Sequence, residues 1–208
     1  METGIGAHEV VAAEHPPTST GMSNTKVAMW TFLASECLLF GALISTYLLY
    51  RGRVVSGPKP GDVYDIPFTS VSSFVLLMSS LTMVLAVHAI AEGDQAKCRT
   101  WLVATALLGM TFISGQVYEF TTFVHEGLAL TTNVFSTAFF VLTGFHGAHV
   151  TVGIIMLLSL FGLSLDGKIP QSRAETVEMV GLYWHFVDVV WIVIFTLVYL
   201  IPSPGGSA

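Results

Sequence analysis

Apolar residues run in five long blocks along the chain, separated by short segments that hold most of the charged residues and prolines. The blocks cover residues 27–50, 70–91, 101–123, 134–165 and 177–201. An apolar stretch of about 20 residues is long enough to cross the hydrocarbon core of a bilayer as a helix. None of the blocks alternates apolar and polar residues as the strands of a membrane barrel do. The pattern therefore predicts an all-α fold, an integral membrane bundle of five transmembrane helices.

The segments between the blocks are too short to hold a soluble domain, so we expect a single domain. Residues 26–202 form the predicted five-helix domain. Residues 1–25 are polar and lack the apolar core of a signal peptide, and we expect a disordered N-terminal tail there. Residues 203–208 form a short C-terminal tail. The fourth block is longer than an untilted span requires, so we expect that helix to tilt or to protrude.

The composition agrees with a membrane protein. Hydrophobic residues make up 53% of the chain and charged residues 11%, whereas a soluble domain has about 25% charged residues. The formal net charge of −6, with only eight Lys and Arg residues, leaves no basic face for nucleic acid. The two cysteines have the spacing of neither a zinc site nor a disulfide framework. We expect Cys37 to be a buried packing thiol and Cys98 a loop thiol.

Lysine and arginine residues predict the orientation, because they are enriched in the loops on the cytoplasmic side. With the N-terminus inside, five of these residues fall on the inner side and three on the outer side. We therefore expect a cytoplasmic N-terminus and a C-terminus on the outer side, with neighbouring helices antiparallel. The inner residues are Lys26, Lys97, Arg99, Lys168 and Arg173, and the outer ones are Arg51, Arg53 and Lys59.

Small residues four positions apart indicate where helices can approach one another closely. Three such pairs lie inside the apolar blocks and predict packing contacts there. They are Gly41 with Ser45, Thr105 with Gly109, and Gly144 with Ala148.

Six ionisable residues stand out inside the apolar blocks, where such groups are costly and commonly face a protein interior. Counting about 1.5 Å per residue from the helix ends places four of them within roughly 10 Å of each other in depth. These four are Glu36, His149, His185 and Asp188; the other two are His146 and Glu119, and Glu119 lies nearer the outer surface.

The last block carries two of these residues between two tryptophans. His185 and Asp188 lie three residues apart, which places them on one face of a helix about one turn apart. Trp184 and Trp191 lie seven residues apart and come round to the same side, where we expect them to be packing aromatics.

Several chemistries could use these groups. His149 and His185 could ligate a haem from facing helices. His146 and His149 could instead hold a metal ion together with a carboxylate from Glu36 or Asp188. The histidines could equally be hydrogen-bonding partners that tie helices together, and the spacing alone leaves these alternatives open.

Glu36 stands out because its neighbours on both sides are almost wholly apolar. Removing a carboxylate from water favours its neutral, protonated form, so we expect Glu36 to be a carboxylic acid at neutral pH. Such a group can act as a proton relay, as a neighbour of a lipid headgroup, or as a hydrogen-bond donor to a histidine.

Four stretches carry a resemblance that covers the chain from Lys26 to Tyr199. They are Ser35-Glu36 in the first block, residues 116–120 (QVYEF) in the third, residues 143–150 (TGFHGAHV) in the fourth and residues 183–191 (YWHFVDVVW) in the fifth. In this order and in five spans, the chain resembles subunit III of the haem-copper terminal oxidases, in its short five-helix bacterial type. It starts at what would be the third of the seven helices of the longer, mitochondrial-like members.

The resemblance implies a non-catalytic subunit of a proton-translocating oxidoreductase complex, with no catalytic centre, haem or copper of its own. Haem and copper are then expected in the partner subunits. Subunits of this family pack against subunit I, bind structural phospholipids, and are thought to support proton uptake and to protect the oxidase during turnover. Glu36 matches the carbodiimide-reactive carboxylate of the family. The implied partners are oxidase subunits I and II, and the implied location is the bacterial plasma (inner) membrane, within a respiratory chain that can form larger supercomplexes.

The electron donor and two other functions stay open at this stage. Residues 123–127 (FVHEG) look closer to cytochrome c oxidases, and a quinol oxidase is the alternative. An independent proton-coupled transporter could use Glu36, His149 and Asp188 as its relay. Such transporters usually have internal repeats or broken helices, and neither is evident in the chain. A small b-type cytochrome is the third possibility.

Overall fold

The computed structural model describes residues 21, 23–52, 64–167 and 169–201, which form helices and turns without a strand. Five of the helices in these ranges are long and apolar enough to cross a membrane, which confirms the predicted fold class. A 3-10 turn (Gln171–Arg173) precedes the last helix and a π-helical turn (Thr196–Leu200) continues it. The helices are α1 (Asn24–Tyr50), α2 (Ile66–Ala91), α3 (Gln95–His125), α4 (Val134–Leu165) and α5 (Ala174–Phe195).

Polar capping residues set the beginnings of the first four helices. The side chains of Ser23, Asp65, Asp94 and Asn133 each accept a hydrogen bond from the backbone N–H three residues further on. Helices α1, α2 and α3 therefore begin before the predicted apolar blocks, by three, four and six residues. The apolar blocks missed these first turns because their polar residues do not raise the hydropathy. The backbone and side-chain hydrogen bonds from Lys97 also lower the pKa of the Asp94 carboxyl.

Two of the predicted segments fall largely outside the described residues. The N-terminal tail, residues 1–25, is described only at residues 21 and 23–25, and the C-terminal tail, residues 203–208, lies wholly outside. Three residues used for the predicted orientation, Arg53, Lys59 and Lys168, also lie outside.

The helices alternate in direction along the chain, so α1 and α5 run parallel to each other. Lys26 forms an ion pair with Glu178 near the beginnings of these two helices, with Nζ 3.0 Å from Oε1. At the other end, Arg51 donates hydrogen bonds to the carbonyl oxygens of Leu197 and Ile201, at 3.2 and 3.1 Å. We call the end of the bundle with Lys26 the proximal end and the end with Arg51 the distal end.

Helix α5 lies at the centre of the packing. It packs against α1, α2 and α4, while α3 packs between α2 and α4. Helix α1 is the most peripheral of the five, because it buries only Leu33, Phe40 and Tyr47, spaced seven residues apart. A stripe of one residue per two turns attaches α1 to α4 and α5 and leaves most of its surface outward.

The predicted roles of the two cysteines were wrong. Cys37 is exposed and Cys98 is buried. The first lies on the outward side of α1, which the apolar block could not reveal because every side of a membrane helix is apolar. The second is not in a loop, since the Asp94 cap starts α3 four residues before it and turns it into the core.

Only one of the three small-residue pairs marks a helix contact within the chain. The Thr105 hydroxyl lies 2.8 Å from that of Thr82 on α2, and Gly109 lies in close contact with Trp184. The positions where Gly41 and Gly144 would carry a Cβ atom have no other atom within 4 Å. Neither glycine therefore lies at a close helix contact among the described residues.

Candidate functional site

Two tryptophans of α5 fix this helix against α2. The Trp184 indole N–H donates a hydrogen bond to the hydroxyl of Ser79 at 2.9 Å, and the Trp191 indole N–H donates one to Ser73 at 2.8 Å. Both tryptophans are buried. A buried indole needs a partner for its N–H, so the two serines set the register of the antiparallel α2–α5 pair.

Trp184 also separates α3 from α4. Its ring lies between Gly109 of α3 and Gly153 of α4, where added Cβ atoms would lie 2.6 Å and 2.7 Å from ring carbons. Because real Cβ atoms do not approach carbon atoms so closely, the indole needs a glycine on each side. One side chain therefore makes contact with three other helices, α2, α3 and α4.

His146 lies in a compartment of aromatic rings. Its imidazole is fully buried, stacks on Trp191 at a centroid distance of 4.9 Å, and meets the ring of Phe112 edge-on at 5.9 Å. Neither ring nitrogen has a hydrogen-bond partner within the described residues. An unpaired charge is costly in such surroundings, so His146 is a neutral packing side chain.

His185 and Asp188 meet the same serine of α2. The Ser80 hydroxyl lies 2.5 Å from Nδ1 of His185. Ser80 also lies near the carboxyl of Asp188. The geometry of a hydrogen bond is not met there, and both carboxyl oxygens of the buried Asp188 are without a hydrogen-bond partner among the described residues. The Ser80 hydroxyl thus pairs with a half-buried imidazole, while the buried acid beside it has no hydrogen-bond partner in the described part of the chain.

Glu36 of α1 and His149 of α4 form a hydrogen-bonded pair. His149 Nδ1 lies 2.7 Å from the carbonyl oxygen of Phe145, which can only accept, so Nδ1 carries a hydrogen. His149 Nε2 lies 3.1 Å from Oε2 of Glu36. The proton in this second contact belongs either to the acid or to the imidazole, and the pair has no net charge in either case.

The Glu36–His149 pair is partly shielded from its surroundings. The two side chains are 15% and 17% exposed. The ring of Phe40 packs edge-on against the imidazole at a centroid distance of 5.0 Å, and the Tyr183 hydroxyl donates a hydrogen bond to the backbone carbonyl of His149 at 2.9 Å. Aromatic rings therefore make up much of the surroundings of the pair.

Glu119 lies apart from the other ionisable groups, near the distal end. It is buried on α3 and accepts a short hydrogen bond from the hydroxyl of Thr69 on α2. The same hydroxyl contacts the backbone carbonyl of Asp65 at 2.9 Å. Glu119 thus links the beginning of α2 to the last turns of α3.

The six residues selected from the sequence therefore lie in four places. Glu36 pairs with His149, His185 bonds to Ser80 near Asp188, His146 stands alone among rings, and Glu119 lies near the distal end. No group of three or more His, Cys, Asp or Glu side chains within the described ranges could hold a metal ion. The imidazoles of His149 and His185 are each engaged by a polar partner rather than directed at a common haem site.

Sequence reasoning missed the small partners of these groups. Ser73, Ser79 and Ser80 accept or share the polar hydrogens of α5, and Gly153 makes room for Trp184. A possible signal is that Ser73 lies six and seven residues before Ser79 and Ser80, while residue 191 lies seven and six residues after residues 184 and 185. Only knowledge that α2 and α5 are antiparallel neighbours makes the match visible.

Comparison with known proteins identifies the family. A family profile described as "Cytochrome c oxidase subunit III" matches residues 9–203. The chain is 37% identical over 194 residues to "Cytochrome c oxidase subunit 3" of Bacillus sp. (strain PS3), and the match covers 93% of each chain. It is 40% identical over 189 residues to "Quinol oxidase subunit 3" of Bacillus subtilis (strain 168), covering 90% of this chain and 92% of that one.

A third relative is "Cytochrome c oxidase subunit 3" of Thermostichus vulcanus, 38% identical over 191 residues, with 91% of this chain and 90% of that one covered. These matches extend over nearly the whole chain and agree with its five-helix membrane architecture. The resemblance inferred from the four sequence stretches is confirmed: the chain belongs to the cytochrome c oxidase subunit III family.

Proposed function

We propose that the chain is the non-redox accessory subunit III of a bacterial haem-copper oxygen reductase, in which it stabilises subunit I, binds structural phospholipid and supports proton uptake. The observation that carries this proposal is the family match over residues 9–203, with relatives of nearly the same length. In this complex the haem and copper belong to the partner subunits I and II. Proton-translocating oxidase activity is then a property of the assembly and not of this chain by itself.

The interior of the bundle supports an accessory role. Its volume is occupied by packed rings, with Trp191 between His146 and Phe112, and with Trp184 between two glycine backbones. The polar groups of α5 bond to serines of α2. Such an interior suits a rigid body that packs against a catalytic neighbour.

The Glu36–His149 pair supports a role in proton handling. A proton can move between Oε2 of Glu36 and Nε2 of His149 without changing the net charge of the pair. Protonation of both groups would give the site a net positive charge, and loss of the shared proton a negative one. We propose that the pair holds a proton and exchanges it with the surface of the complex during turnover.

The distribution of basic residues supports the proposed orientation. Lys26, Lys97 and Arg99 lie at the proximal end, and Arg51 is the basic residue described at the distal end. We propose that the proximal end faces the cytoplasm and the distal end the outer side of the bacterial plasma membrane.

Cytochrome c is the proposed electron donor of the assembled oxidase. A quinol oxidase is the second candidate, favoured by the 40% identity to the quinol oxidase subunit 3 of Bacillus subtilis. Both candidates give this chain the same place beside subunit I, because the electron donor does not meet subunit III in the proposed assembly.

Removal of the chain from the purified complex tests the accessory role. We expect the haem absorption spectrum and the initial rate of oxygen reduction to be retained, while the number of turnovers before inactivation falls severalfold. Adding back the wild-type chain should restore the lifetime, and a chain carrying His149→Phe should restore it only in part, because Glu36 then lacks its proton partner.

The matched control for this add-back is Thr151→Val, an exposed position of the same helix whose hydroxyl bonds only to its own backbone at Gly147. It should restore the lifetime as well as the wild type does. Loss of haem bands together with the chain would contradict the proposal, because it would place a redox centre in this subunit.

A further inference from the structure

Asp188 is a buried acid without a partner for its charge. Its side chain is 3% exposed, and neither carboxyl oxygen has a hydrogen-bond partner among the described residues. The ion pairs in the described part of the chain involve other carboxylates. A carboxylate buried without a partner is far more costly than a neutral carboxylic acid. We therefore expect Asp188 to carry a proton in the folded bundle.

Ser80 of α2 is the polar side chain beside this acid. Its hydroxyl lies 2.5 Å from Nδ1 of His185, which precedes Asp188 by one turn of α5. The hydroxyls of Ser73 and Ser79, on the same side of the α2–α5 contact, donate to carbonyl oxygens of their own helix. Ser80 instead directs its hydroxyl across to α5. A hydroxyl can accept a proton on one side and donate its own on the other.

His185 connects these groups to the proximal surface, because it lies at the inner end of a cavity of about 490 Å³ between α1, α2 and α5. At the outer end, Lys26, Glu178 and His88 line the cavity. The Glu178 and His88 side chains are 48% and 66% exposed. Glu178 precedes His185 by seven residues, or about 10 Å along α5. Water and protons at the proximal surface are therefore about two helical turns from the imidazole.

We propose that Asp188 is a proton-storing acid that is loaded from the proximal surface through His185 and Ser80. Nε2 of His185 takes up a proton from the cavity, and Nδ1 passes its own proton to the Ser80 oxygen. Ser80 releases its hydroxyl proton to the Asp188 carboxylate. One proton enters and one is stored, and His185 is again neutral, with its hydrogen now on Nε2. Reversal of the same steps unloads the acid.

The last contact of this route forms only during transfer. Ser80 lies near the Asp188 carboxyl, but the carboxyl oxygens accept no hydrogen bond in the structure. A rotation of the carboxyl group about the short Asp188 side chain brings one oxygen to the Ser80 hydroxyl. We expect this rotation to set the rate of exchange and to isolate the stored proton between transfers.

The route deepens the proposed support of proton uptake and rests on that function. It uses α2 and α5, whereas the Glu36–His149 pair lies between α1 and α4. Variants of the route therefore leave that pair in place. The titratable groups along the route are His185 inside and, at the mouth of the cavity, the three side chains of α1, α2 and α5 that line it, Lys26, His88 and Glu178.

Infrared spectroscopy of the purified oxidase complex tests the protonation of Asp188. The C=O stretching band of a carboxylic acid is separate from the bands of a carboxylate. We expect one carboxylic acid band of the wild-type complex to be absent from Asp188→Asn. If Asp188→Asn does not assemble, Asp188→Glu replaces it, and the band should then move. Identical carboxylic acid bands in the wild type and the variant would overturn the proposal.

Exchange of that proton for deuterium tests the route. After the complex is transferred to D₂O, the Asp188 band shifts as its hydrogen is replaced. Ser80→Ala and His185→Phe should each slow this shift by about tenfold or more, because each removes a group that transfers the proton. Ser70→Ala is the matched control on α2, since its hydroxyl donates to the carbonyl oxygen of Ile66 in its own helix. Its exchange should match that of the wild type.

Equal exchange rates in Ser80→Ala and Ser70→Ala would overturn the route, and so would wild-type exchange in His185→Phe. The proposed function fails by a different result, if the wild-type chain does not co-purify with haem-bearing subunits. The two failures are therefore distinguishable, because the exchange rates are compared only among complexes that contain those subunits.

Discussion

Gly153→Ala is expected to destabilise the bundle by about 1–3 kcal/mol, the usual cost of overpacking a filled core. The added Cβ atom would lie 2.7 Å from two ring carbons of Trp184. The indole cannot move away, because Gly109 blocks its other side and Ser79 holds its N–H. The purified complex is unfolded by titration with SDS in mixed micelles, and the midpoint of the transition gives the change in the free energy of unfolding.

Gly144→Ala is the matched control on the same helix. Its Cβ atom would have no other atom within 4 Å, so only the helix propensity changes. An alanine is favoured over glycine in a helix by up to about 1 kcal/mol, so this variant should be neutral or more stable. A Gly153→Ala variant as stable as Gly144→Ala would show that Trp184 does not occupy the space between α3 and α4.

Glu36→Gln is expected to abolish labelling of this chain by a hydrophobic carbodiimide. These reagents react with carboxylic acids in an apolar environment, and the side chain of Glu36 is only 15% exposed, with its Oε2 atom 3.1 Å from Nε2 of His149. Glutamine keeps the shape of the side chain, so the bundle should assemble normally. The measurement is the mass shift of the chain after treatment of the intact complex, and the signal should fall to background.

Glu119→Gln provides the control for this experiment. Glu119 is also buried, but it lies on α3 near the distal end, where it accepts a hydrogen bond from Thr69 and has no contact with the Glu36–His149 pair. Its replacement should leave the labelling unchanged. Labelling that persists in Glu36→Gln and disappears in Glu119→Gln would contradict the prediction, because it would identify Glu119 as the reactive acid.

The general architecture could be predicted from the sequence because length and hydropathy determine how many helices cross a membrane. The caps at Ser23, Asp65 and Asp94 lie outside the apolar blocks, so block counting placed the helix beginnings too late. The inward and outward sides of each helix could not be predicted, since lipid and protein interior are both apolar. For this reason the sequence predicted a buried Cys37 and a Cys98 in a loop, whereas Cys37 is exposed and Cys98 is buried.

The candidate site was predictable as a set of residues but not as an arrangement. A buried carboxylate or imidazole is unusual enough in a membrane helix to be noticed. Their partners are serines, threonines and backbone carbonyls, such as Ser80 for His185 and the Phe145 carbonyl for His149. These groups are common in membrane helices, and only the packing of α2 on α5 and of α1 on α4 selects the ones that matter.

The most direct test of the account is purification of the tagged chain from its native membrane in a mild detergent, followed by a visible spectrum. The account predicts co-purification with haem-bearing oxidase subunits and a Soret band in the intact complex. After dissociation and separation, this chain should be colourless and the Soret band should remain with the partner subunits. Recovery of the chain without haem-bearing partners, or a Soret band that stays with the separated chain, would contradict it.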